Sequence, residues 1–162
     1  MFDTINGLPV HPLVVHAVVV LLPLAIIGTI AIVVKPAWRV SYGPLVVAVS
    51  AAAVVLCPVA TSSGEALQSH VGNPGEHAEL GDQLVWFALP VLIFSAVLVY
   101  LARRSPDRRP GPTWLPTAGA VVAVVASVAC AVLVYRVGDS GARAAWGEKM
   151  SASSGSSGDS DG

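Results

Sequence analysis

The sequence predicts an all-α integral membrane protein, a four-helix bundle whose helices run up, down, up and down. Hydrophobic residues make up 54% of the chain and charged residues only 12%, and the mean hydropathy is +0.72, far from the balance of a soluble domain. Four long apolar runs each approach the ~20 residues that cross ~30 Å of hydrocarbon. Residues 1–150 are therefore predicted to form one transmembrane domain.

Prolines, interfacial aromatic residues and charges delimit the four runs. Pro12 suits the first turn of a helix, where its missing N–H is not needed, and Trp38 and Trp114 mark membrane interfaces. Helices are predicted at about 12–34, 42–69, 76–102 and 114–137. Residues 151–162 are almost entirely serine, glycine and aspartate, a composition that predicts a disordered tail.

The distribution of basic residues predicts the orientation of the bundle. Six of the nine lysines and arginines lie in two short connections, at 35–39 and 103–109. The positive-inside rule makes these connections cytoplasmic and places both termini and the acidic connection 62–83 outside. We expect a multi-pass protein of a bacterial plasma membrane, with lipid as its first partner. Nothing in the sequence indicates a nucleic-acid surface.

The four histidines, His11, His16, His70 and His77, all fall toward the predicted outer face. At ~1.5 Å per residue, His11, Glu65 and His77 lie ~35 Å above the cytoplasmic helix ends, and His16 lies ~27 Å above them. His70 is expected in the aqueous loop. The sequence therefore predicts one layer of imidazoles and a carboxylate at the outer mouth of the bundle.

This layer predicts a cofactor site. Neutral imidazole is a good ligand for iron, copper, zinc or nickel, and carboxylates are common ligands in helix bundles. A metal would take His11, Glu65 and His77, whereas a b-type haem would take His11 and His77, with His16 as the second choice. The alternative is that these residues form a hydrogen-bonded cluster, without any cofactor, that caps helix ends and holds the outer loop.

Other classes of function find less support in the sequence. The three later crossings carry few ionisable groups at midplane depth, which disfavours a pump or channel. No nucleophile beside a base is recognised, which disfavours an enzyme. Cys57 and Cys130 lie in apolar runs and are expected to be small buried hydrophobes.

Three segments carry a family resemblance: residues 8–16 (LPVHPLVVH), 61–65 (TSSGE) and 76–81 (EHAELG). They resemble the signature of an uncharacterised bacterial membrane family called domain of unknown function 2231. The resemblance covers about residues 7–137 and implies that His11, His16, Glu65 and His77 are its recurring positions. Some relatives are fused to a Rieske iron-sulfur domain, which implies electron transfer for those members.

This chain departs from many relatives at Ala17, at Pro23 and at Ala78, so the resemblance leaves the local geometry open. We expect a haem-dependent or metal-dependent redox component that works with a redox or respiratory partner protein. The alternative is a non-catalytic subunit or scaffold whose acidic outer loop binds a partner.

Overall fold

Four long helices dominate the computed structural model, which describes residues 4–5, 8–71, 75–104 and 114–155. They are α1 (Val10–Val34), α3 (Gly43–Val71), α4 (Glu76–Arg103) and α5 (Leu115–Gly155), with a one-turn helix α2 (Trp38–Ser41) between the first two. Before α1, the two-residue strands β1 (Thr4–Ile5) and β2 (Leu8–Pro9) pair antiparallel, with Ile5 opposite Leu8. The predicted all-α fold is confirmed.

Each long helix contains a segment able to cross a membrane. These segments are His11–Val34, Gly43–Leu67, Glu76–Arg103 and Leu115–Ala144, with hydropathies of 2.2 to 3.0. Neighbours in sequence pack together, and α5 closes the ring against α1. We call the end that carries the first turns of α1 and α4 the histidine end, and the end that carries residues 35–42, the end of α4 and the start of α5 the basic end.

The core lies along the inner faces of all four helices. Leu22 and Ile32 of α1 and Val91 and Leu98 of α4 are at most 1% exposed. The outer faces are equally apolar, as at Ile27 and Val125, because lipid rather than water surrounds them. Cys57 and Cys130 are buried free cysteines.

Glycines bring the helices into close contact near the basic end. A Cβ added at Gly28 would lie 2.9 Å from the Val46 side chain, and one at Gly43 would overlap Val99. Lys35 lies over the Trp38 ring at 4.5 Å, and Arg39 Nε donates to the Ile32 carbonyl at 2.9 Å. The turn between α1 and α3 is thereby fixed, with its charges outside the apolar core.

The last helix is longer than predicted. α5 continues past residue 137 to Gly155, so residues 151–155, predicted to be disordered, are helical, while 156–162 lie outside the described residues. The alanine-rich stretch 142–145 favours helix, and Arg143 pairs with Asp139 one turn earlier. The prediction ended the helix where the apolar run ends. Helix propensity and the pair of Arg143 with Asp139 stabilise the helix beyond that point.

Candidate functional site at the histidine end

The residues predicted for the site all lie on the helices at the histidine end. His11 and His77 occupy the first turns of α1 and α4 and are half-buried. His16 and Glu65 are exposed. His70 lies near the end of α3, and its side chain is outside the described part of the structure.

His11 is held against α3. Its Nδ1 lies 3.0 Å from the Ala60 carbonyl oxygen and 3.1 Å from Ser63 Oγ. Ser63 Oγ itself donates to the Ala60 carbonyl at 2.9 Å. The His11 imidazole fits against α3 because the residue after Ser63 is Gly64, where an added Cβ would lie only 3.0 Å from His11 Cε1. We call these four residues the first node.

His77 is held against α5 in the same way. Its Nδ1 lies 3.1 Å from the Val137 carbonyl oxygen and 3.4 Å from Ser140 Oγ. Ser140 Oγ donates to the Val137 carbonyl at 3.0 Å. A Cβ added at Gly141 would lie 3.0 Å from His77 Cε1. These four residues are the second node.

The partners of both rings fix which nitrogen carries the proton. A carbonyl oxygen only accepts hydrogen bonds, so the bonds to Ala60 and Val137 require Nδ1–H on His11 and His77. In a neutral imidazole, Nε2 then keeps its lone pair. Metal-ligating histidines commonly use this arrangement, in which a carbonyl orients the ring and the other nitrogen is free to coordinate. Both rings are therefore in the tautomer that a metal ligand of this kind requires.

Sequence reasoning missed the serine and glycine members of the two nodes. Ser63 and Ser140 lie beside histidines that are 52 and 63 residues away along the chain. The Nδ1–H proton leaves this nitrogen without a lone pair to accept the serine proton, so neither pair has the geometry of a nucleophile and its base. The signal available in the sequence was a Ser-Gly dipeptide at 63–64 that recurs at 140–141.

His16 and Glu65 have different surroundings. His16 Nδ1 bonds the Pro12 carbonyl of its own helix, and five residues of helix turn its side chain ~140° away from that of His11. Glu65 directly follows Gly64 and is exposed. Among the described residues, no group of three or more His, Cys, Asp or Glu side chains could hold a metal ion. The three predicted metal ligands do not form such a group here.

More charged residues neighbour the second node along the chain than the first. Arg136 lies 3.8 Å from Glu76, the residue before His77, and Arg143 pairs with Asp139 on the same helix. Glu79 and Asp82 on α4 are exposed acids. The histidine end is therefore polar on its α4–α5 side, whereas α1 presents exposed Leu13 on the other side.

The fold and these nodes define a class: a four-helix membrane protein with two similar histidine nodes at one end. A family model described as a predicted membrane protein, DUF2231, matches residues 7–154. The chain belongs to this family, as the resemblance of its histidine and glycine segments predicted. No curated protein and no solved structure matches it.

Proposed function

We propose that the histidine end binds a b-type haem or a transition metal ion through His11 and His77, and that the protein is a membrane redox or electron-transfer component. The single observation that supports this most is the shared tautomer. Each ring donates Nδ1–H to a carbonyl of the neighbouring helix at 3.0 or 3.1 Å. Each therefore retains Nε2 as a ligand nitrogen with a fixed ring orientation.

In this proposal the bound group lies at the mouth of the bundle. Leu80 and Leu84, one and two turns below His77, are buried, as is Val18 two turns below His11. Side chains fill the interior at that depth, so the group would lie above these residues, between the first turns of α1 and α4. When bound, haem iron or a redox-active metal would supply one-electron chemistry, while the two imidazoles hold it and the carbonyls of Ala60 and Val137 orient them.

Two further predicted ligands have secondary roles in this proposal. Glu65 follows the first node and is exposed, and we propose it as a further ligand when the occupant is a metal ion, since carboxylates are common ligands in helix bundles. His16 points away from His11, so we do not propose it as one of the two main ligands. It remains the alternative haem ligand. The orientation follows the basic connections: the histidine end outside a bacterial plasma membrane, facing a redox or respiratory partner protein.

The test is a spectrum and a metal assay. The full chain, purified in mild detergent, should show a Soret band that shifts on reduction, or a bound transition metal near one per chain. His11→Ala and His77→Ala should remove it, whereas His70→Ala, a histidine outside both nodes, should keep it. A preparation that stays colourless and metal-free after incubation with haemin and with Co²⁺, Cu²⁺ and Zn²⁺ refutes the proposal.

A second candidate is a non-catalytic scaffold whose acidic outer surface holds a partner. The exposed acids Glu65, Glu79 and Asp82 favour it, since a basic partner would find several carboxylates at one end. In that case the nodes serve only to fasten α1 to α3 and α4 to α5. A stoichiometric co-purifying protein that is lost when these three acids are neutralised, from a cofactor-free preparation, would favour the scaffold.

A further inference from the structure

The two halves of the chain repeat one helical hairpin, and the repeat is visible in the burial of α1 and α4. Many residues of α1 and the residues 66 positions later in α4 share their exposure, most regularly at the buried positions. The pairs that are buried in both helices are Val18 and Leu84, Leu22 and Ala88, Ala25 and Val91, Thr29 and Ser95, and Ile32 and Leu98. Even the buried hydroxyls coincide, and His11 is equivalent to His77.

The same correspondence relates α3 to α5 with a shift of 77 positions. Val46 and Ala123, Ser50 and Ser127, and Ala53 and Cys130 are buried equivalents. The nodes follow the same shift, since Ala60, Ser63 and Gly64 correspond to Val137, Ser140 and Gly141.

Contacts between the hairpins complete the symmetry. The operation that carries α1 onto α4 and α3 onto α5 turns the α3–α4 contact into the α5–α1 contact, and both contacts are present. α1 and α4 also meet directly across the bundle. The bundle is therefore pseudo-two-fold about an axis along its length that passes between α1 and α4, the two helices that carry the histidines.

We infer that the two nodes form one ligand site on this axis, and that its occupant is a single metal centre coordinated equivalently by the two imidazoles, one from each hairpin. This inference rests on the proposed function. The nodes match in their hydrogen-bonded atoms, and the added-Cβ distance is 3.0 Å at both glycines. A centre on the axis therefore meets two neutral nitrogen donors of the same strength. The chemistry required is that of a metal accepting a matched pair of imidazoles, either as haem iron or as a free transition metal ion.

Titration of the purified full chain with haemin and, separately, with Co²⁺ tests the inference. We expect saturation at one equivalent. His11→Ala and His77→Ala should each weaken binding at least about tenfold, as loss of a ligand should exceed the 10–100-fold effect of outer partners, and by the same factor within about threefold. With haemin, each variant should change a six-coordinate low-spin spectrum to a five-coordinate one. The probe that binds distinguishes haem from a free ion.

The outcomes separate this inference from the proposed function. Effects of His11→Ala and His77→Ala that are both large but clearly unequal overturn the equivalence of the two imidazoles and leave the proposed binding through both histidines standing. Binding that depends on only one histidine overturns both. No binding of either probe overturns both. Gly64→Ala and Gly141→Ala keep both histidines and guard against variants that fail to fold. Each should weaken binding by a matched factor, because the added methyl displaces one imidazole, and a large effect from only one of them contradicts the equivalence.

Discussion

Gly64 allows α3 to approach the His11 ring, and its replacement by alanine is the most direct test of the first node. The added Cβ would lie 3.0 Å from Cε1, 3.3 Å from Nδ1 and 3.7 Å from Nε2 of His11. The ring must retreat by a few tenths of an ångström. That movement lengthens the 3.0 Å bond from Nδ1 to the Ala60 carbonyl, and a hydrogen bond of this kind stabilises by about 0.5–1.5 kcal/mol.

Helix propensity acts in the opposite direction. Gly→Ala in a helix stabilises by about 0.8–1.0 kcal/mol, so the net change in the free energy of unfolding for Gly64→Ala is near zero. Gly81 and Gly138 have open space where a Cβ would be added, so alanine there should give the full gain of about 1 kcal/mol. In a His11→Ala background, Gly64→Ala should recover the same gain, a coupling energy of about 1 kcal/mol.

The assay is reversible unfolding in mixed micelles of a mild detergent and dodecyl sulfate, followed by circular dichroism. It needs the wild type, the two single variants, the double variant and the Gly138→Ala control. If Gly64→Ala stabilises as much as Gly138→Ala with His11 present, and the double variant shows no coupling, then the ring does not rest on this glycine. The same cycle on Gly141 and His77 should give a matching coupling energy.

Three further predictions follow from other parts of the bundle. Gly28→Ala should destabilise by about 1–3 kcal/mol, because Val46 is buried and cannot retreat from a Cβ 2.9 Å away; Val46→Ala should restore stability, and failure of this rescue would contradict the close approach of α1 and α3. Thr29 Oγ1 and Ser127 Oγ are buried without a hydrogen-bond partner in the described structure, so Thr29→Val and Ser127→Ala should stabilise by up to about 1–3 kcal/mol. Ser50→Ala should not stabilise in the same unfolding assay, since its hydroxyl donates to the Val46 carbonyl at 2.8 Å, and destabilisation by Thr29→Val would refute the reasoning. Ser41 and Ser62 are exposed at opposite ends, so a membrane-impermeant maleimide applied to intact cells should label Ser62→Cys and not Ser41→Cys; the reverse pattern would overturn the orientation proposed from the basic connections.

The number and type of the helices could be predicted because long apolar runs separated by charged turns admit few alternatives in a bilayer. α1, α3 and α4 begin and end within two residues of the prediction, and α5 begins within one. The end of α5 could not be placed in the same way, because hydropathy reports where a helix leaves the membrane and says nothing about how far it continues. The β1–β2 pair, only two residues in each strand, left no periodic signal.

The sequence predicted the height of the candidate site along the bundle but not the hydrogen-bond partners of its histidines. Counting residues from the basic end placed His11 beside the Glu65 region, and His11 does contact Ser63, two positions earlier. Counting gives height and no azimuth, so it could not separate the inward His11 from the exposed His16. Nor could it find the carbonyls of Ala60 and Val137, since a backbone acceptor is available at every residue and only packing selects one.

The repeat also shows which features of the two hairpins are constrained. Buried hydroxyls, core positions and both nodes recur at the same register, whereas outward residues have diverged: Asp82 and Arg136 of the second hairpin stand where the first has His16 and Val59. Packing alone accounts for the core, because neighbouring helices must fill the same space in each half. Packing does not require a half-buried imidazole in each hairpin. An apolar side chain beside Gly64 or Gly141 would also bury surface, and it would leave no buried polar group in need of a hydrogen bond. The recurrence of histidine, serine and glycine together is therefore the feature of the repeat on which the proposed ligand site rests.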